Sequence, residues 1–201
     1  MESYHPARRI NNRNGLSKVI GLFSSKKMNA QIAWESQLER DFCYLLEFDK
    51  NIKKYFSQPK TFFLNYDGNK VQYTPDFYVE YTDKSFKYFE VKFSNSLENP
   101  KIVKKLKLLT EYFKIEKINY KILYEDEIRL QPRLENIKFL YKYSGLSFEE
   151  KFNFNFDTSL EKLSNLIDIK YIYAAMYNNF INFDVNREIN GDLKISLRLK
   201  L

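Results

Sequence analysis

The sequence predicts an α/β domain followed by a small helical module, and three observations carry this. A helix-period apolar stripe precedes a series of period-2 alternating runs. A second helical stretch and a short apolar strand then close that series. Further on, three short helical stretches end in a paired-strand pattern.

Taking the elements in order, residues 1–28 read as a basic arm, with "KVIGLF" as a short strand within it. From Asn29, "NAQIAWESQLERDFCYLLEFD" predicts a helix, because Trp34, Leu38, Phe42 and Leu45 recur at helical spacing and Leu46 widens the stripe. In this reading Glu35 and Glu39 lie one turn apart on that helix. "NIKKYFSQP" reads as a short helical segment ended by Pro59. "KTFFLNYDGNKVQYTPDFYVEYTDKSFKYFEVKF" predicts a three-stranded antiparallel meander, with Asp67-Gly68 and Thr82-Asp83 as turns. A second helix over 99–113 follows, with Pro100 in its first turn, and "NYKILYE" is a strand able to join the meander edge in parallel. Residues 29–132 form this domain and 133–201 the second. There "RLENIKFLYKY", "TSLEKLSNLID" (capped by Thr158 or Asp157) and "KYIYAAMYNNF" are helical. Two strands around Asn190-Gly191 follow, the element order of a winged-helix module, which a generic helical cap with a hairpin shares.

Composition narrows the function classes. A length of 201 residues with five glycines and five prolines indicates a folded chain, and sixteen tyrosines with eighteen phenylalanines supply a core of large rings. One cysteine, Cys43, precludes an internal disulfide and fits a reducing compartment. No apolar run approaches a membrane span and "MESYHPARRINN" lacks the core of a secretion signal, so a cytoplasmic protein is expected. The only histidine, His5, argues against histidine-built zinc sites and histidine-centred acid–base catalysis. A net charge of +7 favours an anionic partner, with Arg8, Arg9, Arg13, Lys18, Lys26 and Lys27 in the leader and Lys104 and Lys105 in "KIVKKLK". Solvated surface is the plain alternative for any one of these patches.

The chemistry concentrates in "VQYTPDFYVEYTDKSFKYFEVKF". Alternation places Asp76 with Tyr78 and Glu80 on one face, and Glu90 beside Lys92 on one face of the later strand. If the strands pair, Asp76 and Glu90 meet across them. Two close carboxylates repel, and a nearby lysine or a divalent cation relieves them; oxygen donors without a Cys or His cluster would select a hard ion, Mg²⁺ or Mn²⁺. Lys92 would orient or help deprotonate a water, or steady charge on a phosphate. The plain alternative is a strand-end cap at Asp76 and a charge-paired edge strand at Glu90–Lys92.

"PDF" and "EVK" resemble the PD-(D/E)xK nuclease core, whose helix, meander, helix, strand order is the one read above. "WESQLERDFCYLLEFDKNIKKYFSQP", followed by "YTPDFYV" and "EVK", resembles the TnsA family of transposase endonuclease subunits. The basic approach "ARRI…KVIGLFSSKKMNAQIAWES" is similar too. This resemblance implies a restriction-endonuclease-like fold and a metal-dependent DNA endonuclease. Asp76, Glu90 and Lys92 would be site residues. Glu39 would complete the acidic cluster, with Glu35 as its competitor. Gln58 of the "QP" pair matches as well, as a structural residue or a phosphate contact. With no aromatic-basic stacking motif in the sequence, duplex DNA is the expected substrate. The resemblance also implies 5′ cleavage of the non-transferred strand at transposon ends, and two partners, an integrase-type transposase and an ATPase regulator, met by residues 133–201. A free-standing phage or restriction-like nuclease would use the same residues, and a non-catalytic DNA-binding or assembly subunit is the alternative outside enzymes. The apolar-interrupting charges are expected to face the helix that carries Glu39.

Overall fold

In the computed structural model, which describes residues 19–66 and 69–197, the chain divides into two units, Met1–Ile128 and Arg129–Leu201. The first unit is mixed α/β and the second is mainly helical. Among the described residues no helix is long and apolar enough to cross a membrane.

The first unit opens on a hairpin, β1 (Gly21–Ser25) against β2 (Ala30–Trp34), antiparallel with Gly21 opposite Trp34. Its alternation is visible in "AQIAW", where Ile32 and Trp34 are buried and Gln31 is not. Gly21 is required because a Cβ there would lie 2.3 Å from the Trp34 ring. The first helix therefore starts later than its apolar stripe predicts: α1 spans Gln37–Phe48, and Ser36 is its N-cap. The missed signal is Ser36-x-x-Glu39, a capping box just ahead of the apolar run. Trp34 is buried as expected, but from a strand.

The segment 52–57, read as helical, is instead strand β3 (Ile52–Ser57). Tyr55 and Ser57 point inward, while Lys53 and Lys54 pair with Glu80 of the neighbouring strand. Lysines suit this position because β3 is a sheet edge. Pro59 thus ends a strand. The expected meander is also split. Among the described residues β4 (Phe62–Tyr66) and β5 (Asn69–Tyr73) pair only with each other, and β6 (Phe77–Tyr81) and β7 (Phe86–Lys92) belong to the main sheet of order β3-β6-β7-β8. Thr74-Pro75-Asp76 makes the break, since Pro75 lacks the N–H that a continuous strand would need. After α2 (Pro100–Ile115), capped by Asn99, β8 (Tyr120–Tyr124) joins β7 in parallel, and a short α3 (Glu125–Ile128) follows. Helix and parallel strand agree with the sequence reading.

Two layers cover the sheet. Phe42 of α1 packs edge-on against Phe77 and Phe89 on one face. The other face meets α2 and the β4–β5 hairpin through Phe62, Leu64, Tyr73, Leu106, Leu109 and Phe113, with Tyr88 and Tyr120 packed against them. This corrects one expectation. The face of β6–β7 that carries Tyr88 and Glu90 looks toward α2 and the hairpin, and α1 takes the apolar face.

The β1–β2 turn is tied to the far end of α1, where the Lys27 ammonium donates to Leu46 O (2.8 Å) and Asp49 O (2.6 Å). Partial burial lowers its pKa to about 8, against the opposing pull of Glu47. The folded state then holds fewer protons than the unfolded chain between that value and the ordinary lysine range, so stability rises with pH across that window. Relative to a Lys27→Met protein, the wild type is expected to gain roughly 1–2 kcal/mol between pH 7.5 and 10, a figure already reduced for solvent screening. Urea midpoints of the two proteins at both pH values check it.

The second unit contains α4 (Arg133–Tyr141), β9 (Phe156–Ser159), α5 (Leu160–Ser164), α6 (Ile169–Tyr177), β10 (Asn182–Phe183) and β11 (Lys194–Leu197). The three strands form an antiparallel sheet of order β10-β11-β9. Two details differ from the sequence reading. Thr158, expected as a cap, sits in β9 opposite Ile195, and Ser159 caps α5. Asn190-Gly191 lies within a long β10–β11 connection, where Asn190 O accepts from Leu193 N–H in a turn of its own and Gly191 O accepts from Glu161 N–H, so it is not a two-residue turn joining the strands.

Candidate active site

The carboxylates reach one place because of how three strand ends meet. Asp76 stands one residue before β6, and continuing the Phe77–Phe89 pairing by one step sets it opposite Glu90. Its Oδ2 accepts from the Val91 N–H at 2.9 Å, which fixes the carboxylate across the end of β7. Gln58, at the end of β3, donates its backbone N–H to Asp76 O at 2.8 Å and so holds the same turn from the other side. A cavity of about 590 Å³ lies at this junction, lined by Glu35, Glu39, Asp76, Glu90 and Lys92, with Lys105 of α2 also lining it.

Glu90 is 4% exposed, and both of its oxygens are engaged. The Lys92 ammonium donates to Oε1 at 2.5 Å and to Val91 O at 3.1 Å, while the Tyr73 hydroxyl donates to Oε2 at 2.6 Å. Electrostatics follow from crowding. Burial and the nearby Glu90 charge push the Asp76 carboxyl well above its usual range. For Lys92 burial pulls downward, but Asp76 and Glu90 outweigh it, and its pKa ends raised. Burial, reinforced by the charge of Glu90, raises the Tyr73 phenol, so it stays a donor.

Glu39 also lines the cavity, but its carboxylate is committed locally. Oε1 accepts from Ser36 Oγ (3.0 Å) and Oε2 from the Glu35 N–H (2.9 Å), while Ser36 Oγ accepts from Glu39 N–H, a variant of the capping box in which the carboxylate takes the N–H one residue before the cap. Burial is the main reason its pKa is raised. Glu35 is buried and lines the same cavity, but it precedes the N-cap, so the two glutamates do not share a helix face.

Among the described residues, no three His, Cys, Asp or Glu side chains are arranged to hold a metal. The reason is visible in the contacts: Glu39 faces its own helix cap, and Lys92 neutralises Glu90. The donor chemistry of Asp76 and Glu90 nevertheless fits a hard cation, because paired oxygen donors without nitrogen or sulfur ligands suit such ions.

The basic residues divide. Lys104 and Lys105 are exposed on α2, and Lys105 both lines the cavity and stands 5.6 Å from the centre of the Tyr73 ring. Lys26 is exposed on the β1–β2 turn. Two expected DNA contacts are corrected. The Lys27 ammonium is turned into the end of α1, as described above. Gln58 is 1% exposed, so its side chain has no surface to offer a phosphate, and its amide atoms have no hydrogen-bond partner among the described residues. Gln58 also adopts a left-handed backbone, φ 48°, a strained conformation for a residue with a side chain. Arg8, Arg9, Arg13 and Lys18 lie outside the described residues. Sequence reasoning missed Tyr73 and Tyr120, although "VQY" directly before "TPD" puts an aromatic hydroxyl within reach of the acidic pair.

No curated protein matches the chain. Residues 49–125, from the end of α1 to the last strand of the main sheet, match the family described as "TnsA-like endonuclease N terminal".

Proposed function

We propose that the first unit is a metal-dependent DNA endonuclease with a restriction-endonuclease-like core of the PD-(D/E)xK kind. The convergence of Asp76, Glu90 and Lys92 at the ends of paired strands, in one cavity, carries this reading. The family match over residues 49–125 contains all three.

Asp76 and Glu90 would hold the cation, Mg²⁺ or Mn²⁺, with Glu39 as third carboxylate and Glu35 as its alternative. When bound, such an ion lowers the pKa of a water and offsets charge on a phosphate. The protein groups do the rest. Lys92, a protonated donor with two hydrogen bonds to the site, supplies positive charge beside Glu90. The Val91 N–H orients Asp76, and Gln58 secures its turn. Lys105 and Lys104 offer phosphate contacts along α2, where a duplex backbone would be gripped without sequence choice.

Within the TnsA resemblance, the substrate would be the non-transferred strand at transposon ends, cut at the 5′ side. The partners would be an integrase-type transposase and an ATPase regulator. The second unit, in the winged-helix order α4, β9, α5, α6, β10, β11 with β11 central, would be the partner-binding domain. A free-standing nuclease of the same core differs only in needing neither partner.

End-labelled duplex DNA incubated with Mg²⁺ or Mn²⁺, alone and with the two partner subunits, tests the reading. Strand cleavage that requires the metal and Asp76 supports it; equal cleavage by Asp76→Asn protein rejects it. Glu39 has its own test. Both Glu39→Ala and Glu39→Gln are expected to lose cleavage if the carboxylate binds the ion. Only Glu39→Ala should also lose about 1 kcal/mol of stability, because glutamine can still complete a capping box.

A further inference from the structure

Tyr73 and Tyr120 have no role in the chemistry so far, yet they reach the acidic pair from two different elements. Tyr73 is the last residue of β5, and Tyr120 the first of β8. Tyr73 OH lies 2.6 Å from Glu90 Oε2 and 2.9 Å from Tyr120 OH. A phenol has one proton. Since Tyr73 spends its proton on the carboxylate, it must accept from Tyr120, which fixes the direction of the chain as Tyr120 to Tyr73 to Glu90. Both rings pack on Phe113: Tyr120 stacks on it with centroids 4.4 Å apart, and Tyr73 meets it edge-on at 6.0 Å. Lys105, itself lining the cavity, places its ammonium 5.6 Å from the centre of the Tyr73 ring.

Resting on the nuclease reading, we propose that Tyr73, backed by Tyr120, is a positioning residue that sets the rotation of the Glu90 carboxylate and so presents Oε1, the Lys92-bound oxygen, to the cation. A ligand carboxylate restrained from behind binds its ion more tightly, and losing such an outer partner typically costs 10–100-fold in metal affinity. A buried carboxylate also needs donors simply to be tolerated, and that lesser role predicts a change in stability alone.

Binding of Mn²⁺ to the full chain without DNA, followed by the loss of the free-ion electron paramagnetic resonance signal, separates these roles. Tyr73→Phe keeps the ring against Phe113 and removes one hydroxyl. It is expected to weaken Mn²⁺ binding by about tenfold, and to raise the Mn²⁺ concentration for half-maximal cleavage while leaving the rate at saturating metal near the parent's. Tyr120→Phe should shift both readouts in the same direction by a smaller factor, and it serves if Tyr73→Phe fails to fold. Unchanged Mn²⁺ affinity in the folded tyrosine variants, with Glu90→Gln weakened, overturns the positioning role and leaves the nuclease reading standing. If Asp76→Asn and Glu90→Gln also bind Mn²⁺ like the parent, the metal site itself is wrong, and the positioning role falls with it.

Discussion

Asp76→Asn protein is expected to lose metal-dependent strand cleavage by about 10³-fold or more while becoming more stable. The loss follows from the several kcal/mol that a correctly held cation contributes at a phosphoryl centre, with each 1.4 kcal/mol worth about tenfold in rate. The gain in stability follows from the geometry around Asp76. Its carboxylate is partly buried, opposite Glu90, and Lys92 is bonded to Glu90. Burial and that neighbouring charge both oppose ionisation of Asp76 in the folded state. The folded pKa lies above the unfolded value, so the penalty is absent at low pH, grows as pH rises through the unfolded pKa, and is complete above the folded one. Asparagine removes the charge and can still accept from the Val91 N–H through its side-chain carbonyl. Lys92→Ala should lose cleavage comparably but lose stability too, because two close carboxylates would face each other without their cation. Cleavage assays paired with urea unfolding of the same preparations check both halves. A strand-end cap at Asp76 would behave oppositely, with stability falling and cleavage unaffected.

The acidic pair was legible because strand periodicity has a period of two, so a charged residue on an apolar ribbon declares its face. The pairing of Asp76 with Glu90 needed only that periodicity and a turn signal. The layer which that face meets was not legible. Alternation says which side chains lie together, but it contains nothing about whether α1 or α2 covers them, and the choice fell to α2 through Phe62, Tyr73 and Phe113. Helical spacing misled at Trp34 for a related reason. A residue four places before Leu38 fits an apolar stripe, whether it continues the helix or ends a strand that packs on the same side. Ser36 with Glu39 marked the boundary. Those same two residues explain why Glu39 is ambiguous: one glutamate both completes a helix cap and reaches the cavity. Tyr73 stands three residues before Asp76, but its hydroxyl acts on Glu90 across 17 residues of sequence, and strand alternation alone does not encode that contact. In the second unit Thr158 looked like a cap because β9 is short and abuts α5 directly.

Glu47→Ala should show the reverse signature, a large loss of stability with the cavity's chemistry intact. Glu47 is 3% exposed on α1 and accepts from three elements: Ser25 Oγ at 2.7 Å, Lys27 N–H at 2.6 Å and Tyr55 OH at 2.8 Å. It thereby ties β1, the β1–β2 turn and β3 to the helix. Alanine leaves two buried hydroxyls and a partly buried N–H without their acceptor, at about 1–3 kcal/mol for each group that water does not reach. Water reaching the turn lowers the sum, so the expected loss is about 3–5 kcal/mol, a large share of the ~5–15 kcal/mol that holds a typical domain folded. Ser25→Ala and Tyr55→Phe should each cost about 1 kcal/mol, and the double variant should depart from additivity because both bond one oxygen, Glu47 Oε2. Glu47→Gln falls between, since its amide presents donors to groups that are themselves donors. Urea unfolding with unchanged m-values measures these differences, and cleavage per folded molecule should match the parent, since Glu47 does not line the cavity. Two carboxylates of one domain, Glu47 buried and Asp76 partly buried, are thus set apart by their partners. Glu47 accepts from three hydrogen-bond donors and contributes stability, whereas Asp76 faces another carboxylate and costs it, which is the sign expected of a group retained for chemistry.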